Sequence, residues 1–216
     1  FLRTTRSLSL TEAGDRFYKR AHDILAEYED AEAEARGLDH EPVGLLRISC
    51  VSSMARLVIG PRIASFMKMY PHIRVDVLTD DTYTDLVGEG VDLAFRIGTL
   101  VDSSLMAKKV GESPRSLWAS PDYLAARGTP RHPRDLAEHD AVLFRQTATN
   151  EWVLSRDGET VSVRVDGRFK ASSGDLLLQA AQSGLGLFLA ASWLVSDCVN
   201  DGSLVRVMLR FETQTC

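Results

Sequence analysis

A regular repeat of apolar and small residues near the N-terminus most constrains the fold of this chain. Neighbouring members of the repeat are alternately four and three residues apart. An average spacing of 3.5 residues keeps a stripe on one face of a helix, which is typical of two helices that pack along each other. The sequence therefore predicts a dimerising helix; the alternative is that the stripe packs against the rest of the same chain. We name this stripe the apolar seam, and its members are Phe17, Ala21, Ile24, Tyr28, Ala31 and Ala35.

Both ends of the predicted helix carry recognisable signals. Thr11 offers a hydroxyl that can accept a hydrogen bond from the first helical turn, and Ser9 is an alternative cap of the same kind. Gly37 is a typical C-terminal stop. We therefore expect the helix to span residues 11–37, after a short basic hairpin-like segment over residues 1–10.

Charge is distributed unevenly over this N-terminal part. The whole chain has a formal net charge of −5, which excludes binding of polyanions by bulk electrostatics. Residues 1–20 contain five basic and two acidic side chains, whereas residues 21–37 contain one basic and six acidic side chains. Because residues 1–20 are basic and residues 21–37 are acidic, we expect contacts with phosphates only from residues 1–20. Arg3 and Arg6 are candidates for such contacts; the alternative is a solvated turn.

From residue 45 onward, predicted strands alternate with predicted helices, which indicates an α/β body with a parallel sheet. The lengths fit two lobes, over about residues 45–114 and 115–210, better than one sheet. Asp157 and Gly158 are a strong hairpin-turn signal. In the first lobe the pattern predicts a helix over 53–70 that contains Pro61 or begins there, a helix over 81–88, and strands over 91–97 and 106–110.

The chain lacks the residue patterns expected of an enzyme or a metalloprotein. Its five histidines are scattered, and no glycine loop or nucleophile motif has the required spacing. Cys50, Cys198 and Cys216 are far apart, which predicts free thiols in a reducing compartment. No segment is long and apolar enough to span a membrane. We therefore expect a cytoplasmic protein that is not an enzyme and that uses no cofactor, metal or membrane partner.

Small polar residues or glycines recur where predicted strands end and helices begin. Ser52 and Ser53 follow the first strand of the body, and Ser173 and Gly174 follow a strand of the second lobe. Ligands of α/β proteins bind at such carboxyl ends of strands, where helix N-termini present free N–H groups to anions. The sequence therefore predicts a small carboxylate between the lobes; the alternative is that the serines only cap their helices.

The motifs along the chain resemble those of LysR-type transcriptional regulators. The string that begins at Arg3 and ends at Gly14 is similar to the family pattern R-T-T-R-x-x-x-L-T-x-A-G, and the string DLVGEGVDLAFRIG that ends at Gly98 is similar to DLVEEGFDLAIRIG. The pair Tyr70 and Pro71 and the stretch around Gly184 also match the family. The resemblance covers residues 1 to about 209.

This resemblance implies the tail of a winged helix-turn-helix, a dimerising linker helix and a two-lobed effector domain like a periplasmic binding protein. The domains would span residues 1–10, 11–37 and 45–216, and the partners would be DNA, a small-molecule effector such as an organic acid, and further copies of the chain in a homodimer or homotetramer. Contacts with DNA phosphates would come from Arg3, Thr4 and Arg6. Contacts with the effector would come from Ser52, Ser53, Arg96, Gly98, Phe144, Ser173 and Gly174.

Two departures from the family pattern give further expectations. The recognition helix is not found in this sequence, so we expect the chain by itself not to read DNA bases. Residues 211–216 do not resemble the family's continuation, so we expect the first lobe to lack its last strand and helix. The alternative functions are a solute-binding protein of a transporter, which has the same two-lobed cleft, and an α/β enzyme, for which no catalytic group of residues is visible.

Overall fold

In the computed structural model of this protein, the chain divides into two units. One unit is Phe1–Gly44 with Tyr70–Ile73, and the other is Leu45–Met69 with Arg74–Cys216. The structure describes residues 2–3, 8–9, 11, 13–14, 16–18, 20–21, 24–25, 28, 42–80, 86–98, 105–147 and 149–213.

A short β-hairpin opens the first unit. Strand β1 (Leu2–Arg3) pairs antiparallel with strand β2 (Leu8–Ser9). The described residues between positions 13 and 28 are helical, and the backbone N–H of Gly14 donates to Thr11 Oγ1 at 3.1 Å. Thr11 is therefore an N-cap, which confirms the predicted start of the helix.

A three-stranded sheet follows, in the part of the chain up to residue 114 that we call lobe I. Its strands are β3 (Gly44–Cys50), β4 (Ile73–Thr79) and β5 (Leu93–Ala94), with β3 in the middle. Strands β3 and β5 are parallel. Arg47 ties β3 to β4, because its Nε lies 3.1 Å from Asp76 Oδ2.

The helix after β3, which we name α1, changes geometry along its length. It consists of an α-helical turn at Ser52–Met54, a π-helical segment at Ala55–Ile59 and an α-helix at Gly60–Met69. Pro61 has no N–H to donate to the regular helical ladder, and the wider π-helical turn lies just ahead of it. The helix therefore contains Pro61 and begins well before it.

The part of the chain from Arg115 onward, which we call lobe II, contains two sheets, three α-helices and a 3-10 helix among its described residues. One sheet has five strands and the other has three. The elements are β6 (Arg115–Ala119), α2 (Pro121–Arg127), a 3-10 helix (Pro133–Glu138), β7 (Asp140–Phe144), β8 (Glu151–Arg156), β9 (Glu159–Arg164), β10 (Asp166–Ala171), α3 (Gly174–Gln182), β11 (Leu187–Ala191), α4 (Ser192–Asn200), β12 (Val205–Val207) and β13 (Glu212–Thr213).

The five-stranded sheet has the order β10–β7–β11–β6–β12 and mixed directions. Strand β7 is parallel to β10 and β11, whereas β6 is antiparallel to β11 and β12. The prediction of a parallel sheet is therefore wrong for β6, which runs antiparallel to both of its neighbours. Alternation of strands and helices indicates an α/β fold but does not determine how a strand far away in sequence is oriented.

Two glycines allow the neighbours of β7 to approach it closely. A Cβ on Gly167 would lie 1.7 Å from the carbonyl oxygen of Ala141, and one on Gly186 would lie 2.4 Å from that of Asp140. Gly186 also has a φ of +155°. Any side chain at these positions would force the parallel strands apart, so both glycines have a packing role.

The three-stranded sheet of lobe II contains the predicted hairpin. Strands β8 and β9 pair antiparallel, from Glu151 opposite Arg164 to Arg156 opposite Glu159 next to the turn. In the turn, Asp157 and Gly158 have φ values of 52° and 84°. Positive φ at both central residues is the type I′ geometry that Asp-Gly favours. Strand β13 pairs with the other edge of β8.

Lobe II is organised around two hydrophobic clusters. Alternate residues of the central strands enter different clusters: Leu117 and Leu143 enter one, whereas Trp118, Val142 and Phe188 enter the other. This period of two is expected when both faces of a sheet are covered. The first cluster lies against the three-stranded sheet, and the second lies against α3 and α4.

Three elements predicted for lobe I differ from the structure. The strand predicted over 91–97 is limited to β5, and residues 106–110 form no strand. Of the helix predicted over 81–88, residues 86–88 lie in a turn and residues 81–85 are outside the described part of the chain. Met106 and Val110 are almost fully exposed, so the apolar residues of this alternating stretch do not pack into a hydrophobic core.

Candidate functional site

Two strand-to-helix junctions form the centre of the candidate site. Helix α1 begins at Ser52, directly after β3 and Val51, and α3 begins at Gly174, directly after β10 and two serines. The first N–H groups of a helix have no partner within the helix and carry its positive dipole. Both junctions therefore present groups that attract an anion.

The serines at these junctions are not side-chain caps of their helices. The N-cap residue of α1 is Val51, and the N-cap residue of α3, Ser173, makes no cap hydrogen bond through its side chain. Ser120 shows the contrasting arrangement, because its Oγ accepts the Tyr123 N–H at 3.2 Å at the start of α2. The alternative that the side chains of Ser52 and Ser173 only cap their helices is therefore wrong.

The two junctions meet at Gly174. A Cβ on this glycine would lie 3.4 Å from Ser53 Oγ, 3.6 Å from Leu194 Cδ2 and 3.8 Å from Phe144 Cζ. Ser53 is buried, with an exposed fraction of 5%. Three of the predicted effector residues, Ser53, Phe144 and Gly174, thus lie together, and Ser173 is the residue next to them in the chain.

Phe144 lies at the carboxyl end of β7 and lines a second feature. Its ring centroid is 6.1 Å from that of Phe188, which holds the ring against the cluster beside α3. The same residue borders a pocket of about 250 Å³ that also contains Arg115, Thr147 and Thr149. This end of β7 therefore combines an aromatic surface with hydroxyl groups and a guanidinium group.

Arg96 and Gly98 lie in lobe I, after β5. Arg96 Nη2 donates to Ser49 Oγ at 2.9 Å, and its Nη1 donates to the carbonyl of Phe95 at 3.2 Å. Burial raises the pKa of the Cys50 thiol, and the charge of Arg96 opposes that shift. Gly98 has a φ of +113°. Arg96 is thus anchored within the sheet of its own lobe.

Sequence reasoning missed an ion pair beside the junction. Arg56 Nη2 lies 2.7 Å from Asp175 Oδ1, which joins the π-helical segment of α1 to the first turn of α3. Ser53, Arg56 and Leu57 share one face of α1, and Leu57 packs against the cluster beside α3. The only signal in the sequence was the i, i+3, i+4 spacing of these residues after a predicted helix start.

A larger pocket, of about 340 Å³, lies at the opposite end of lobe II. Its lining includes Tyr123, Arg127 and Asp140, and Tyr123 Oη lies 3.0 Å from His139 Nδ1. Burial raises the pKa of Tyr123 and lowers that of His139. Because Asp140 begins β7, this pocket is at the amino ends of the parallel strands, where α/β proteins do not usually bind ligands.

The predicted DNA-contacting residues are described only in part. Arg3 is described in its backbone, as a residue of β1, whereas Thr4 and Arg6 are outside the described residues. Of the described helices, none is long and apolar enough to cross a membrane. Among described side chains, no group of three or more His, Cys, Asp or Glu could hold a metal ion.

The large side chains of the apolar seam are exposed where the structure describes them. Phe17, Ile24 and Tyr28 have exposed fractions of 75%, 64% and 64%, and Ala21 is half-buried. Tyr18 and Leu25 are also exposed; they widen the stripe, and the strict spacing rule did not include them. Ala31 and Ala35 lie outside the described residues.

The family model for the LysR substrate binding domain matches residues 39–214. The chain belongs to the LysR family of transcriptional regulators. Its predicted α/β, two-lobed fold class is confirmed by the structures of LysR regulators. Full-length AphB, a virulence activator of Vibrio cholerae, has a TM-score of 0.73 at 32% identity over 99% of this chain and 73% of that one. CrgA of Neisseria meningitidis has a TM-score of 0.73 at 34% identity over the same shares.

Curated LysR-type relatives lead to the same conclusion. CrgA of Neisseria meningitidis serogroup C is 35% identical over 95% of this chain and 69% of the relative. The transcriptional activator AaeR of Escherichia coli K12 is 30% identical over 98% of this chain and 69% of the relative. These relatives are transcriptional regulators and not enzymes, which confirms the prediction that this chain is not an enzyme. They also favour a transcriptional regulator over the solute-binding protein of a transporter.

Proposed function

We propose that this LysR-type chain binds a small carboxylate at the junction of α1 and α3, and that the bound effector controls transcription. The observation that carries the proposal is the meeting of Ser53, Phe144 and Gly174 at the starts of two helices from different lobes. A ligand at this point would contact both lobes, so its binding would depend on their relative position.

The chemistry of the junction favours an organic acid. The hydroxyls of Ser53 and Ser173 and the N–H groups of the first turns are donors for a carboxylate. The ring of Phe144 offers an apolar surface for the body of the ligand. We assign Ser52, Arg96 and Gly98 to the edge of the site, on the basis of the family pattern.

The proposed roles of the other parts follow from the relatives and the seam. Residues 1–10 would be the end of a DNA-binding domain, with Arg3, Thr4 and Arg6 on phosphates. Residues 11–37 would form the dimerising helix, and residues 45–216 the effector domain with lobes over about 45–114 and 115–210. The exposed seam residues Phe17, Ile24 and Tyr28 support self-association, because large apolar side chains in a row favour a helical partner.

Calorimetric titration with benzoate and succinate tests the effector site. Ser53→Ala and Ser173→Ala, made singly, should each weaken binding about ten- to a hundredfold, the worth of one hydrogen bond to a charged ligand. Ser196→Ala is the matched control, since Ser196 is exposed on α4 and bonds only its own helix, at the carbonyl of Trp193. If both junction variants bind the acids as the parent does, the site lies elsewhere.

A further inference from the structure

The ion pair between Arg56 and Asp175 lies beside the junction of α1 and α3. The two side chains belong to different lobes, and their charged atoms are 2.7 Å apart. Arg56 is one helical turn after Ser53 on the same face of α1, and Asp175 is the residue after Gly174. The guanidinium is therefore next to the junction at which Ser53 and Gly174 meet.

We propose that Arg56 is the cationic ligand of the effector carboxylate and that Asp175 occupies it in the absence of effector. This inference rests on the proposed function, because it places the ligand at the same junction. Asp175 is then an internal substitute for the effector's carboxylate. Binding exchanges one carboxylate for another at the Arg56 guanidinium, so the charge of Arg56 stays neutralised in both states.

Because both side chains of the pair are partly exposed, replacing Asp175 by the carboxylate of the effector costs little free energy. The side chains of Arg56 and Asp175 are 52% and 32% exposed, and exposed ion pairs contribute little to stability. After exchange, Asp175 keeps a favourable position in the first turn of α3, where the helix dipole stabilises an acid. Arg56 gains a planar carboxylate, which it can bind through two parallel hydrogen bonds.

The exchange also predicts which ligands are selected. A guanidinium beside the two serines favours a carboxylate over the corresponding amide, since only the anion replaces the charge of Asp175. Ligands that lack a negative charge would leave Arg56 with Asp175 and would gain only the hydroxyl contacts. Arg56 is thus a specificity-determining residue for the sign of the effector's charge.

Four variants of the full chain test the proposal by calorimetry with benzoate, benzamide, succinate and succinamide. Arg56→Gln should weaken binding of the acids about ten- to a hundredfold and reduce their preference over the amides. Asp175→Asn should strengthen binding of the acids about two- to fivefold, because it removes the competing carboxylate. Arg62→Gln and Asp122→Asn are matched controls on α1 and in the first turn of α2, and they should change neither affinity.

Each other outcome overturns the exchange. Acid binding that is unchanged in Arg56→Gln would mean that Arg56 is only a surface group. Weaker acid binding in Asp175→Asn would mean that Asp175 orients Arg56 and does not compete with the ligand. If Ser53→Ala and Ser173→Ala weaken binding while Arg56→Gln does not, the proposed function stands and this inference fails. If neither acid binds the parent chain, both fail; urea unfolding of each variant verifies that it is folded.

Discussion

Gly174 is the position at which added bulk should most directly test the contact between α1 and α3. A single methyl group would lie 3.4 Å from Ser53 Oγ and 3.8 Å from Phe144 Cζ, which is ordinary van der Waals contact. Replacing glycine by alanine in a helix is favourable by up to about 1 kcal/mol. Gly174→Ala should therefore leave the free energy of unfolding within about 1 kcal/mol of the parent value.

Gly174→Val adds two more carbon atoms in the same confined space. Overpacking of this kind costs about 1–3 kcal/mol, and here it should push α1 away from α3. We expect the free energy of unfolding, measured by urea titration, to fall by that amount. Affinity for benzoate or succinate should fall at least about tenfold, because a hydrogen bond to the charged ligand is lost.

Gly111→Val is the matched control for this substitution. A Cβ on Gly111 has no atom within 4 Å, and the residue is exposed, so the same change there should affect neither stability nor affinity by much. If Gly174→Val has the stability and the affinity of the parent, Gly174 does not face Ser53 and the site argument is refuted.

Three further predictions concern other parts of the chain. Ile24→Glu should weaken self-association in analytical ultracentrifugation, because it places a charge in the apolar seam; an unchanged dimer would contradict the seam. In a protein that also carries the family's helix-turn-helix, loss of Arg3 or Arg6 should weaken DNA binding on all sequences alike and lower the salt slope by about one unit per contact; altered sequence preference would instead indicate base reading. Burial, with Arg127 acting in the same direction, lowers the pKa of His139 below its usual 6.5, so the unfolded chain takes up a proton first as pH falls. Stability should therefore decrease below about pH 6.5, and His139→Gln should flatten this part of the urea-unfolding profile; an identical profile would show that His139 does not contribute.

The sequence predicted the elements of lobe II better than those of lobe I. The hairpin of β8 and β9 contains an unambiguous Asp-Gly turn, and it forms as predicted. The antiparallel direction of β6 was not predictable, because it depends on pairing with β11 about 70 residues later in the chain. In lobe I, residues 106–110 alternate like a strand and yet remain exposed without a pairing partner in the described sheets.

The candidate site was predictable only to the level of its junctions. Strand ends followed by small polar residues identified Ser53 and Gly174, because this chemistry is local in the sequence. The Arg56–Asp175 pair joins residues 119 positions apart, and no local pattern connects two such charges. Only the packing of α1 against α3 brings them together, so this contact required the structure.

The two lobes bury their residues very unequally, and this bears on how a ligand would act. Both hydrophobic clusters belong to lobe II, and Leu57 is the lobe I residue that packs against one of them. In the described part of lobe I, the buried residues are Ile48, Ser49, Cys50 and Ser53, and the long α-helical part of α1 has none. A ligand held by Ser53 and Ser173 would therefore add contacts where lobe I has few of its own. Regions of low local stability are those whose position a ligand can change at least cost. On the proposed function, lobe II would be the fixed support, and effector binding would act mainly on lobe I through α1.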